Sequence, residues 1–239
     1  MGTHEIDERP ATEGDRAKDR RGWLPQAFGR GDPRAIADPI VEPLWDGIRV
    51  LVHVADGRVA AIIDTAGTDR AATYSGVAAA INDALRDAPL PATDAVIDGY
   101  IAADPDQEPS LPLIAPIPAR KGAVTQMILG AARIGREGPR PPEPPVPGGE
   151  TGFAAIDLLV VDGSSLLDVP LLERKRQLES TLAQTSLVRC TPFTRLPLDA
   201  RLPAWRALGY RGLAYKGANG RYRPGTHAID WIAAALPQA

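Results

Sequence analysis

Val41–Arg49 reads VEPLWDGIR and runs straight into VLVHV. Ile48–Val54 (IRVLVHV) is rich in β-branched residues, the composition of a strand. Ala55-Asp56-Gly57 then leads into a second β-rich run, Arg58–Ile63. Asp-Gly between two such runs predicts a tight antiparallel hairpin. Further out, Ala95–Ala103 (AVIDGYIAA) and Phe153–Val161 (FAAIDLLVV) are apolar runs of strand length, the second ending at Asp162-Gly163, and Gly212–Lys216 is a short strand. Helical periodicity marks Ser75–Asp87, with Ser75 as its candidate N-cap, and Lys121–Ile134, with Val124, Met127, Ile128 and Ala131 on one face. Leu171–Ala183 follows Pro170 and carries the charged face ERKRQLE, and Pro203–Leu208 is a shorter helix. Interspersed strands and helices with hairpin turns give the class α+β. No repeat of 20–50 residues is visible.

The 239 residues include 24 prolines and 23 glycines, against about 12% for the two together in an average protein. Six of the prolines fall in PRPPEPPVP at 139–147, where the missing N–H groups rule out a helix or a central strand. We read residues 1–22, polar and of mixed charge, as a disordered leader. Residues 23–239 are then one domain with a Pro-rich surface insertion at about 138–150. A net charge of −3 argues against a strong non-specific nucleic-acid binder. Arg195, Arg201, Arg206, Arg211, Arg221 and Arg223 still give the C-terminal third a basic bias, and Arg133, Arg136 and Arg140 form a smaller cluster. The lone Cys190 excludes an internal disulfide and a Cys-based zinc site, while His4, His53 and His227 lack ligand spacing. No apolar run approaches the ~20 residues of a membrane span, and the N-terminus has no apolar signal core; a cytoplasmic location is expected. Only four lysines occur, Lys18, Lys121, Lys175 and Lys216, so amine chemistry has few candidates.

Five segments in order carry a resemblance: VEPLWDGIR at 41–49, IDGYI at 97–101, FAAIDLLVVDG at 153–163 with SLLDVPLLERKRQLE after it, GYRGLAYK at 209–216, and YRPGTHAIDW at 222–231. Together they resemble the adenylation (nucleotidyltransferase) domain of ATP-dependent DNA ligases, over roughly residues 38–236. The resemblance implies an ATP-grasp-like domain of antiparallel sheets flanked by helices. It also implies a first motif E-P-K-x-D-G-x-R, whose lysine attacks the α-phosphate of ATP and holds AMP covalently. Glu42, Pro43, Asp46, Gly47 and Arg49 match that motif, but Leu44 stands at the nucleophile position and has no lone pair to attack with. Other positions of chemistry are also altered. Tyr100 replaces the glutamate of D-G-E, Ile156 replaces the aromatic that stacks on adenine, and Arg211 replaces the glutamate of E-G-x-x-x-K. Ala233 and Ala235 stand at two late lysine positions, and Asp64-Thr65 stands at a Ser-Arg pair.

Framework residues survive: Gly47, Gly99, Gly163, Gly212 and Gly225 at turns, Pro43 and Pro224 at bends, and Trp231 as core. Loss concentrated on the chemical positions implies a pseudoenzyme, with no catalytic residue and no metal ligand expected. Glu42, Asp46, Arg49, Ile156 and Lys216 would form a remnant nucleotide pocket. No cofactor is expected; ATP and Mg²⁺ enter only if residual activity exists. Asp46, Asp98 and Asp157 are candidate carboxylates for a metal, with turn and strand-end hydrogen bonding as the alternative. Lys121 and Lys175 are expected on solvated helix faces. With eight residues after Trp231 in this sequence, the OB-fold domain that follows in such ligases is not expected. The implied partners are DNA, a DNA-repair protein or a genuine ligase, and the implied role is a binding or scaffolding module in DNA repair. The alternatives are an active or partly active ligase using a non-standard nucleophile near Lys216, and a non-covalent nucleotide sensor.

Overall fold

The computed structural model describes residues 20–103 and 151–237. The expected helix at Lys121–Ile134, the Pro-rich insertion and most of the leader lie outside the described residues. In chain order the strands are β1 (Ala27–Gly29), β2 (Pro39–Leu44), β3 (Gly47–Ala55), β4 (Arg58–Asp64), β5 (Ala95–Ala103), β6 (Thr151–Val161), β7 (Ser164–Ser165), β8 (Val188–Cys190), β9 (Thr194–Arg195), β10 (Gly212–Gly217) and β11 (His227–Ala235). The α-helices are α1 (Ser75–Arg86), α2 (Leu171–Thr181) and α3 (Leu202–Ala207).

The strands form two mostly antiparallel sheets. One runs β1-β11-β10-β2-β9, and the other runs β4-β3-β5-β6-β7 with β8 on β6. Among the described residues only β1–β11 and β6–β8 pair in parallel. The class is α+β, as the hairpin signals implied. Both Asp-Gly turns take the geometry their residues favour: Asp56 and Gly57 have φ of 51° and 69°, and Asp162 and Gly163 have 43° and 78°. Two successive positive φ values define the type I′ turn, whose twist matches that of the strands it joins.

Strand β3 is buried on both faces because its residues divide between two cores. Val50, Val52 and Val54 join Ile62, Ile97 and Phe153 under α1, which buries Val77, Ile81, Ala84 and Leu85. Leu51 points the other way, into a second core with Val96, Tyr100, Ala154, Ile156, Ile40, Tyr222 and Trp231. Side chains alternate across a strand, so one apolar run serves two layers. The second core joins residues of both sheets. A third, smaller core gathers Val41, Leu198, Trp205 and Leu213.

Three expectations need correction. Tyr74, not Ser75, caps α1, without a side-chain bond, and Ser75 is the first helical residue. The ERKRQLE run is not a purely solvated face, since Arg174 and Lys175 turn inward on α2. Lys175 is 3% exposed, because a carboxylate in the sheet draws it in.

Candidate nucleotide-type site between the sheets

Strand β2 brings Glu42 against β10, with Ala214 as its backbone partner. The Glu42 carboxylate is 2.6 Å from Lys216 Nζ through one oxygen and 2.5 Å from Lys175 Nζ through the other. The three residues are 0–3% exposed. Burial alone would push the Glu42 carboxyl up, yet Lys175 and Lys216 outweigh it and hold it below its ordinary value. The Lys216 ammonium is pulled down by burial, against the support of Glu42. Its Nζ also lies 4.1 Å from the centre of the Trp231 ring, a cation–π contact.

A second ion pair lies on β3 and β5. Arg49 donates to both oxygens of Asp98, at 3.0 and 2.7 Å. Its guanidinium sits over Phe28, Tyr100 and Trp231, with ring centres 5.4–5.8 Å away. Burial opposes the charge of Arg49, but Asp98 dominates and raises it well above the ordinary guanidinium value. Tyr222 donates its hydroxyl to the same carboxylate at 2.7 Å. A third pair joins Arg174 of α2 to Asp157 of β6 through two bonds of 2.8 Å.

These contacts place every residue of the expected remnant pocket. Glu42 and Lys216 touch each other. Arg49 is committed to Asp98, and Ile156 is 2% exposed in the core between the sheets. Asp46 is half-buried between β2 and β3, with one carboxylate oxygen enclosed. Leu44 ends β2 opposite Gly212, and a Cβ on Gly212 would lie 3.0 Å from its Cδ2. Its side chain therefore packs flat on β10, against the second core. Tyr100 is 8% exposed beside Arg49, and Arg211 is half-buried just before β10. The residue that sequence reading missed is Lys175. Its distance in sequence from Glu42 hid a pairing that only the docking of α2 produces.

The donor set does not suit a divalent metal. Asp98 and Asp157 each spend both oxygens on a guanidinium, and Tyr100 and Arg211 offer no carboxylate. Among the described residues no group of three His, Cys, Asp or Glu side chains converges on one point. A hard cation such as Mg²⁺ takes oxygen ligands, usually carboxylates.

Three of the six arginines that give the C-terminal third its basic bias are paired with acids, two of them with the same aspartate. Arg195 pairs with Asp38, Arg221 and Arg223 reach Asp168, and Arg206 donates to the Pro237 carbonyl. Arg133, Arg136 and Arg140 lie outside the described residues.

No established family profile matches the chain. The ligase domain of M. tuberculosis LigD superposes with a TM-score of 0.62 at 23% identity, covering 90% of this chain and 61% of that one. The ATP-dependent DNA ligase of bacteriophage T7, solved with ATP, gives a TM-score of 0.51 at 12% identity over 90% of this chain and 69% of that one. The fold is that of a DNA-ligase nucleotidyltransferase domain. In sequence, this ligase-like chain is 29% identical over 199 residues to a probable DNA ligase of Streptomyces coelicolor. That alignment takes in 80% of this chain and 34% of the relative, so the chain spans about a third of that protein. Among the described residues, no helix is long and apolar enough to cross a membrane.

Proposed function

We propose that this ligase-like chain is a catalytically inert nucleotidyltransferase-fold module that binds DNA or a DNA-repair protein. The observation that carries the reading is Leu44, whose alkyl side chain packs on Gly212 at the position where the ligase resemblance expects the nucleophilic lysine. Two further observations support it. The nearby cations are already paired, Lys175 and Lys216 with Glu42 and Arg49 with Asp98. The donor set also lacks the carboxylates that would hold a metal beside a triphosphate.

Incubation with α-labelled ATP and Mg²⁺ is expected to leave the protein unlabelled. The Leu44→Lys variant should stay unlabelled as well, because restoring the amine restores neither the carboxylates nor the adenine-stacking ring. A stable protein–AMP adduct on the wild type would overturn the reading. The competing reading, catalysis by Lys216, has one observation in its favour: burial weakens the hold of Lys216 on its proton, and a neutral amine is the nucleophilic form. Peptide mapping of any adduct separates the two. For DNA as the partner, affinity should fall linearly with salt on logarithmic axes, with a slope of about −0.9 per phosphate neutralised. A flat salt response would direct the search to a protein partner.

A further inference from the structure

The sequence holds two asparagines, Asn82 and Asn219, and the fold treats them in opposite ways. Asn82 lies within α1, where its side-chain oxygen accepts the Val59 N–H of β4 at 2.7 Å. The next residue, Asp83, puts a side chain beside the backbone nitrogen between them. Asn219 is exposed on the loop between β10 and β11 and is followed by Gly220. Its side-chain amide has no hydrogen-bond partner among the described residues.

The loop itself is tight. Gly220 donates its N–H to the Gly217 carbonyl at 2.9 Å, which closes a four-residue turn with Asn219 in third place. The Gly220 carbonyl accepts from the buried guanidinium of Arg174, also at 2.9 Å. A Cβ on Gly220 would lie 2.2 Å from Asp230 Oδ2 and 3.0 Å from the Gly217 oxygen, so the packing demands glycine. That same bare glycine leaves the Gly220 nitrogen with no side chain to shield it from Asn219.

We propose that Asn219 is a deamidation site whose modification reaches the buried Arg174–Asp157 pair. Hydroxide takes the Gly220 amide proton, and the nitrogen attacks Asn219 Cγ. The N–Cγ bond forms, the Cγ–Nδ2 bond breaks, and ammonia leaves with a proton from water, closing a succinimide ring. Water then opens the ring at either carbonyl, so the sum consumes one water and releases one ammonia. Opening at Cγ gives aspartate in a normal chain. Opening at the backbone carbonyl gives isoaspartate, whose main chain runs through Cγ and is one methylene longer. The Asp-Gly pairs at Asp98 and Asp162 could close the same ring, but an ionised carboxylate has no comparable leaving group. Asp98 is also held by Arg49, and Asp162 by the backbone of Thr93 and Asp94. The longer isoaspartyl chain must move Gly220, which Gly217, Asp230 and Arg174 hold on three sides. Arg174 then loses a carbonyl partner inside the fold, and a buried donor left unpaired is costly.

The test is to age the full chain for weeks at mildly alkaline pH, folded and in urea, and then to digest it with trypsin. Cleavage after Lys216 and Arg221 releases Gly217–Arg221, whose mass reports the exchange of NH2 for OH. The folded protein is expected to convert about two- to tenfold more slowly than the urea sample, the factor that one net backbone hydrogen bond supplies. Asn82 should stay intact in the folded protein. An Asn219 still unmodified in the folded protein when the urea sample has fully converted overturns the proposal, as does conversion of folded Asn82 at the same rate. The isoaspartate form, isolated by chromatography, should melt below the fresh protein. Asn219→Asp, with the same charge and a normal chain, should melt with the wild type. An isoaspartate form that melts with the fresh protein overturns the link to Arg174.

Discussion

Arg174 and Asp157 are both fully buried and hold each other through two charge-assisted bonds, and Arg174 also donates to the carbonyls of Val169 and Gly220. Such a pair adds little net stability compared with apolar residues of the same volume, but removing one partner strands the other charge in a medium that cannot solvate it. Arg174→Met is therefore expected to cost about 3–5 kcal/mol in urea denaturation. Arg176→Met, two residues on and 72% exposed beside Glu173, should change stability by no more than about 0.5 kcal/mol. Equal effects of the two substitutions would mean that Arg174 is solvated after all. The same helix shows where sequence reading stops at the scale of one residue. ERKRQLE reads as a solvated charged face, yet Arg174 and Lys175 point into the fold while Arg176 does not. What separates them is the presence of Asp157 and Glu42 on strands remote in sequence. Leu44, Tyr100 and Ile156, in contrast, stood out in the sequence, because an altered residue inside an intact motif needs no knowledge of packing.

At the scale of elements, the β5–β6 pair depends on a glycine. A Cβ at Gly99 would lie 2.5 Å from the Phe153 ring and 2.6 Å from the Ala154 carbonyl, so neither a rigid ring nor a backbone can yield cheaply. Gly99→Ala is expected to destabilise by about 1–3 kcal/mol through overpacking. Gly76, in the first turn of α1, has nothing within 4 Å of its hypothetical Cβ. Gly76→Ala should therefore stabilise by about 0.4–1 kcal/mol, chiefly by restricting the unfolded chain. Thermal melts of the two variants should shift in opposite directions, and a shared sign would contradict this packing. The strands that sequence reading found share a local signature, an apolar run closed by a turn. Strands β2 and β11 lack it. In β2, Glu42 and Pro43 interrupt the apolar run, and in β11 a polar start (HAID) precedes the buried Trp231. Both become strands through pairing with β10, a long-range event that no local window contains.

At the scale of the whole molecule, the two sheets meet over a layer of ionised groups, so stability should depend on acidity in separable stages. His53 of β3 is 4% exposed, and burial is the main reason its imidazole falls from 6.5 to about 4. Arg21 and Arg20 add to the shift, while Asp69 and Asp94 oppose it. Because the folded value lies below the unfolded one, the unfolded chain binds the extra proton first as pH falls. Stability from this group is level above pH 6.5, declines between 6.5 and about 4, and is level again below that. A gap of that size corresponds to on the order of 3 kcal/mol. Glu42 acts lower on the scale. Its carboxyl is held below 4.5 by the two lysines, so its contribution is complete above pH 4.5 and is lost as pH falls through the folded value. The urea midpoint of the wild type is therefore expected to fall in two stages, one beginning near pH 6.5 and one below pH 4.5. His53→Gln should flatten the first stage and leave the second. If the variant kept the wild-type slope between pH 6.5 and 4.5, the first stage would belong to another group, and His53 would not be the buried neutral imidazole that this fold encloses.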